Sequence, residues 1–131
     1  MKAITKKCPA KIVGINIPTE KSEKIEKIAT EHNAEFNNFN ENCGNEKVGF
    51  LFGFKGFEKS ETTEKTDKEI LLFSGISGNR LNHFLDGLRA ENATVQLKAV
   101  VTAYNQSWTI SHLATQIEAE HKAMNGGGKN G

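Results

Sequence analysis

Lys98 is the residue whose setting most demands a chemical reason. It is the single formal charge between Asn92 and Ile117, and it stands inside the β-branched apolar run Val95 to Thr102 (VQLKAVVT). An ammonium placed there has two physical readings. On the first it lies at a cleft with Thr102, Tyr104, Asn105, Trp108 and Thr109 and donates to an anionic group on a ligand or partner. On the second its stem covers apolar surface while the head reaches water, Asn105 holds a turn, and Trp108 anchors a core.

Gly75-Ile76-Ser77-Gly78-Asn79-Arg80 connects a strand pattern to a helix pattern, where backbone N–H groups can hold a phosphate. It matches neither the dinucleotide fingerprint nor the P-loop, and the favoured reading is a tight turn with Ser77 as helix cap. Cys43, in Asn42-Cys43-Gly44-Asn45, is a candidate nucleophile that lacks a basic neighbour in sequence. Cys8 precedes a proline near the chain start and is given no role. His32, His83, His112 and His121 form no HxxxH or HExxH spacing, so no metal ligation is expected. Phe50, Phe52, Phe54 and Phe57 resemble a stacking platform without the interleaved Lys/Arg groove that single-stranded nucleic acid needs, which favours core packing.

These residues must be positioned by one modest domain. The chain has 131 residues, with 17 Lys plus Arg against 16 Asp plus Glu. A core is feasible at that length without staples. A net charge of +1 gives no field that would steer nucleic acid. The apolar stretch Ile12 to Ile17 is interrupted by Gly14 and Asn16 and is too short for a signal peptide core or a membrane span. With no CxxC pair, both thiols are read as free in a reducing cytoplasm.

Along the chain, Ala10 to Ile17 reads as a strand ended by Pro18, and Ile25, Ile28, Ala29 and His32 mark a helix with Thr19 as its cap. Glu35 to Asn40 reads as a short strand before a turn-rich loop. Val48 to Phe54 fits a strand by alternation and a short helix by Val48, Leu51 and Phe52. Lys55 to Glu69 carries nine charges in fifteen residues and reads as a mobile connection. Ile70 to Ser74 is a buried strand, Leu81, Phe84, Leu85 and Leu88 a helix, and Val95 to Thr102 a strand. Ile110 to Met124 is the longest helical stripe, stopped by Gly126, with a flexible Gly-rich tail over 126–131.

The two halves are similar in pattern at an offset near 60, which sets Ile25 on Leu85 and Val48 on Trp108. The expected fold is therefore a small two-layer α/β domain spanning 1–125, with about four strands, helices packed on the sheet, and a duplicated strand–helix–strand–helix unit as one reading of the order.

Ile70-Leu71-Leu72-Phe73-Ser74-Gly75-Ile76, the Leu81 to Leu88 helix, Leu97-Lys98-Ala99-Val100-Val101-Thr102, Asn105, Trp108-Thr109 and Glu120-His121 resemble a bacterial family known only as a domain of unknown function, number 3783. The resemblance covers roughly residues 70–121. Ala103 stands where the family often has proline, and His112 where an acidic residue often completes a helix cap. The resemblance implies an α/β domain and supplies no activity.

The expected function is a non-enzymatic binding or interaction module that uses Lys98 to Trp108 to engage a protein partner or a small anionic ligand. The alternative is a small enzyme acting on an anionic substrate through the Gly75 to Arg80 turn or Cys43. No cofactor, nucleic acid or membrane is expected, and the chain is read as a monomer, or as a homodimer joined through an uncovered strand edge.

Overall fold

Ile12, Val13 and Ile15 are β-branched and completely buried, the pattern of a strand covered on both faces. They lie in β1 (Lys11–Ile15), followed by α1 (Thr19–Glu31), β2 (Glu35–Phe39), a 3₁₀ turn at Glu41–Cys43, the single-turn α2 (Val48–Leu51), β3 (Ile70–Ser74), α3 (Gly78–Ala90), β4 (Leu97–Val100) and α4 (Ile110–Lys129). This computed structural model describes residues 10–76 and 78–129, and the side chains of 121 and 123–129 are outside the description. Cys8 and the Ser77 cap therefore lie outside the described residues. The four strands form one mixed sheet in the order β2-β1-β3-β4. β1 runs parallel to β2 and β3 parallel to β4, while the two central strands are antiparallel, with Val13 opposite Leu72.

The expected α/β architecture of helices on a four-strand sheet is what the chain adopts. One apolar cluster joins Ile12, Leu71 and Phe73 of the sheet to Ile25 and Ile28 of α1 and to Phe84 and Leu88 of α3. A second joins Val13, Ile15, Ile70, Leu72 and Leu97 to α2 and to Ile110 and Leu113 of α4. The Phe-rich segment belongs to that second cluster. Phe52 is buried and its ring stacks on Phe54 at 5.6 Å, while Phe50 and Phe54 pack at its margin.

The ambiguous segment at Val48 is a helix because its first N–H groups are taken from outside. Val48 N–H donates to the Trp108 carbonyl at 2.9 Å and Gly49 N–H to that of Gln106 at 2.8 Å. The same seam returns two matching bonds, from Ile110 N–H to Glu46 and from Ser111 N–H to Gly44, both 2.9 Å, with Lys47 facing Thr109 across an antiparallel bridge.

Matching detail extends through both strand–helix–strand units. Asn33 and Asn92 follow α1 and α3 with φ of 57° and 60°, a left-handed conformation that asparagine tolerates better than most residues. Each precedes an alanine whose N–H closes the helix end, Ala34 to the Ala29 carbonyl and Ala93 to that of Leu88, both at 2.8 Å. Counting back from these ends pairs Ile25 with Phe84 rather than Leu85, and counting from the seam pairs Val48 with Ile110 rather than Trp108. The single offset near 60 fails because the linker from α3 to β4 is longer than that from α1 to β2.

Other local expectations change. Thr19 is the first residue of α1 rather than its cap; Pro18 precedes it with no side-chain capping bond, and its carbonyl accepts the Ser22 N–H. α4 stays helical through Gly126, Gly127 and Gly128 to Lys129, past the expected stop and into the expected flexible tail. Glycine costs about 1 kcal/mol relative to alanine there but, unlike proline, keeps its N–H for the helix. Residues 55–69 carry no helix or strand, yet are anchored along their length. Ser60 N–H donates to the buried carboxylate of Glu46 at 2.8 Å, Gly44 N–H to the Glu64 carbonyl and Thr66 N–H to that of Glu41, both at 2.8 Å.

Candidate functional site

β4 is the free edge of the sheet beside β3. Val101 N–H points inward to the Phe73 carbonyl at 2.8 Å. By the period-two alternation of a strand, the main-chain groups of Lys98 and Val100 then face outward. The Val100 carbonyl is covered, because the Asn105 side-chain amide donates to it at 3.2 Å. The outward stretch of β4 is thus short and begins at Lys98.

The structure separates the six sequence candidates. Thr102 and Asn105 build their own turn: Thr102 N–H donates to Asn105 Oδ1 at 2.9 Å, and Thr102 Oγ1 accepts from the N–H groups of Tyr104 and Asn105 at 3.1 Å. Thr109 Oγ1 accepts the His112 N–H at 3.2 Å and caps α4, which supplies a cap where His112 replaces an acidic residue. Trp108 is half-buried against the second core cluster, with ring-edge contacts to Tyr104 at 5.9 Å and His112 at 4.7 Å. Tyr104 is 77% exposed. Lys98 stands at the opposite end of the strand, away from that turn.

There Lys98 meets residues that no local pattern connects to it. An open cleft of about 1170 Å³ surrounds the start of β4, and its charged lining is Lys21 of α1, Asp67, Lys68 and Glu69 before β3, Lys98, and Glu118 and Lys122 of α4. Lys21 pairs with Glu69 at 2.8 Å and Lys68 with Glu118 at 3.0 Å. The pair with Glu118 raises the Lys68 pKa. The Lys98 ammonium folds back on the Val95 carbonyl at 2.7 Å, and partial burial, followed by the charge of Arg89, lowers its pKa. In sequence Lys21, Lys68 and Lys122 look like ordinary solvated charges; only the fold gathers them.

The other candidates are occupied structurally. Gly75 and Gly78 take φ of 78° and 60°, and Arg80 donates to the His32 carbonyl at 2.7 Å. That bond places a cation at the carbonyl end of α1, which has no basic residue in its own last turn. Arg80 is therefore engaged in joining α3 to α1. Cys43 is buried, and desolvation with a smaller push from Glu46 raises its thiol to about 11. A nucleophilic cysteine needs the opposite shift. Against the ordinary value of 9.0, that shift reduces the thiolate fraction at pH 8 roughly a hundredfold. Iodoacetamide should accordingly alkylate Cys43 at least about a hundredfold more slowly than a cysteine in a short peptide, with a rate still climbing above pH 9; a peptide-like rate at pH 8 would overturn the burial argument. Among the described residues no group of three or more His, Cys, Asp and Glu can hold a metal ion, and no helix is long and apolar enough to cross a membrane.

These features define a small α/β domain of two strand–helix–strand units with a polar cleft at one sheet edge. Residues 69–124, which hold β3, α3, β4 and most of α4, match the family model described as Domain of unknown function (DUF3783). No curated protein and no solved structure matches the chain.

Proposed function

We propose that this protein is a non-enzymatic binding module that takes an acidic segment of a partner protein into the cleft at the start of β4. The observation that carries this reading is the convergence of four lysines from separate segments, Lys21, Lys68, Lys98 and Lys122, on one cleft beside an outward-facing strand. Glu69 and Glu118 engage two of them, which leaves Lys98 and Lys122 without a carboxylate partner among the described residues. A cleft of that size exceeds what a small ligand fills and suits an extended peptide, whose backbone meets the strand edge while its carboxylates meet the ammonium groups. The buried free thiol of Cys43 is in keeping with a reducing cytoplasm. The matched helix ends and the paired seam bonds support reading the two units as copies of one ancestral unit, joined within a monomer.

Amide NMR with a Glu-rich hexapeptide tests the proposal. Saturable shifts are expected at Leu97, Lys98, Thr115 and Ala119, weakening steeply with salt, and Lys98→Glu with Lys122→Glu should reduce affinity at least about tenfold. Shifts confined to another surface, or an equal response to a Lys-rich peptide, would overturn it.

A further inference from the structure

We infer that the inner end of this cleft, a small recess between α3 and β4, receives the free C-terminal carboxylate of the bound segment together with a small apolar last side chain. This deepens the cleft reading and rests on it. The recess has a volume of about 40 Å³ and is lined by Leu85, Leu88, Arg89, Thr94, Val95 and Lys98. One water needs roughly 10–15 Å³ of such volume, so the space suits a few atoms rather than a ring. Its floor is apolar, from Leu85, Leu88 and Val95, and its rim carries two cations, Lys98 and Arg89. Arg89 is engaged by Asp86 on the outer surface of α3, while Lys98 has the Val95 carbonyl. A recess with an aliphatic floor and the Lys98 ammonium at its rim, with Arg89 nearby, complements a group that is itself aliphatic at one end and anionic at the other.

The first unit shows that the fold does not require a lysine at this place. Ile12 faces Phe36 across β1 and β2, and Leu71 faces Lys98 across β3 and β4, so Phe36 and Lys98 occupy matching positions. Phe36 packs into the apolar cluster, its ring lying over Gly14, where an added Cβ would stand 3.0 Å away. In the second unit Phe73 takes the place of Gly14 and packs edge-on to Phe84 at 5.6 Å, which fills part of that volume. The recess is what remains, and the position that would close it carries a cation. Partial burial and the nearness of Arg89 both disfavour the Lys98 charge, and an incoming carboxylate offsets them with an opposite charge.

The experiment compares one acidic hexapeptide ending in valine as the free acid and as the C-terminal amide, each titrated into the full-length protein. The free acid is expected to bind at least about tenfold more tightly and to move the amides of Leu85 and Leu88 as well as the cleft signals of Thr115 and Ala119. Lys98→Met keeps the stem, removes the charge and should abolish that preference while thermal melting shows the fold retained; Arg89→Gln should reduce the preference too. Equal binding of acid and amide, or a preference that survives in Lys98→Met, overturns the recess and leaves the cleft standing. No saturable binding of either peptide overturns both.

Discussion

Phe84→Ala is expected to cost about 3–5 kcal/mol, a large share of the roughly 5–15 kcal/mol that holds a domain of this kind together. Phe84 is 0% exposed on the inner face of α3, and its ring meets Phe73 edge-on at 5.6 Å and His32 at 5.5 Å. It therefore links α3 to the central strand β3 and to the end of α1 at one point. Truncation removes the transfer energy of the ring and leaves a cavity among side chains fixed by three separate elements, which cannot readily collapse. Urea denaturation should show the midpoint fall sharply with little change in slope. A loss below about 1 kcal/mol would mean that α3 packs by another face. The same substitution at Leu85, which is half-buried at the rim, lacks that leverage.

Gly44→Ala is the second large effect, at about 2–3 kcal/mol. A Cβ on Gly44 would lie 2.7 Å from the Glu64 carbonyl oxygen and 2.7 Å from Ser111 Oγ. Gly44 N–H donates to that same Glu64 carbonyl, and its own carbonyl accepts from Ser111 N–H. The methyl group thus collides with the Glu64 backbone to which Gly44 is itself bonded on one side and with the Ser111 side chain on the other. Relief means lifting residues 55–69 off the seam, which also breaks the bond from Thr66 to Glu41. Thermal melting should fall by roughly 6–15 °C, and the Thr66 amide should exchange markedly faster. Gly49→Ala is the informative control. Its Cβ would meet the Phe57 ring at 2.5 Å, a half-buried side chain that can swing away, so the loss should be smaller. Equal losses at the two positions would contradict the seam geometry.

Strands and helices were legible wherever burial imposes a period. Ile70 to Leu72 and Phe73 are enclosed on both faces, and a continuous apolar run is the signature of that environment. Ile25, Ile28 and Ala29 repeat at helical spacing for the same reason. Val48 was not legible, because what makes it helical is a carbonyl at Trp108, far along the chain. Lys98 was legible as an anomaly, a charge among apolar neighbours, whereas Lys21, Lys68 and Lys122 carry no local mark of sharing its cleft. Thr102, Asn105 and Thr109 illustrate a different limit. Hydroxyl and amide groups serve equally to bind a ligand or to hold a turn, and only the partners at 2.9–3.2 Å decide that here they hold the turn.

The amide of Asn105 on the Val100 carbonyl has a consequence for how this protein behaves in a crowd of its own copies. An open sheet edge is a template on which another molecule's strand can assemble, and repetition of that step produces fibres. Here Asn105 closes the far end of the edge and Lys98 puts a charge at the near end, so two molecules meeting edge to edge would bring like charges together along a stretch too short to outweigh the repulsion. The edge is thereby blunted at both ends against repeated strand addition.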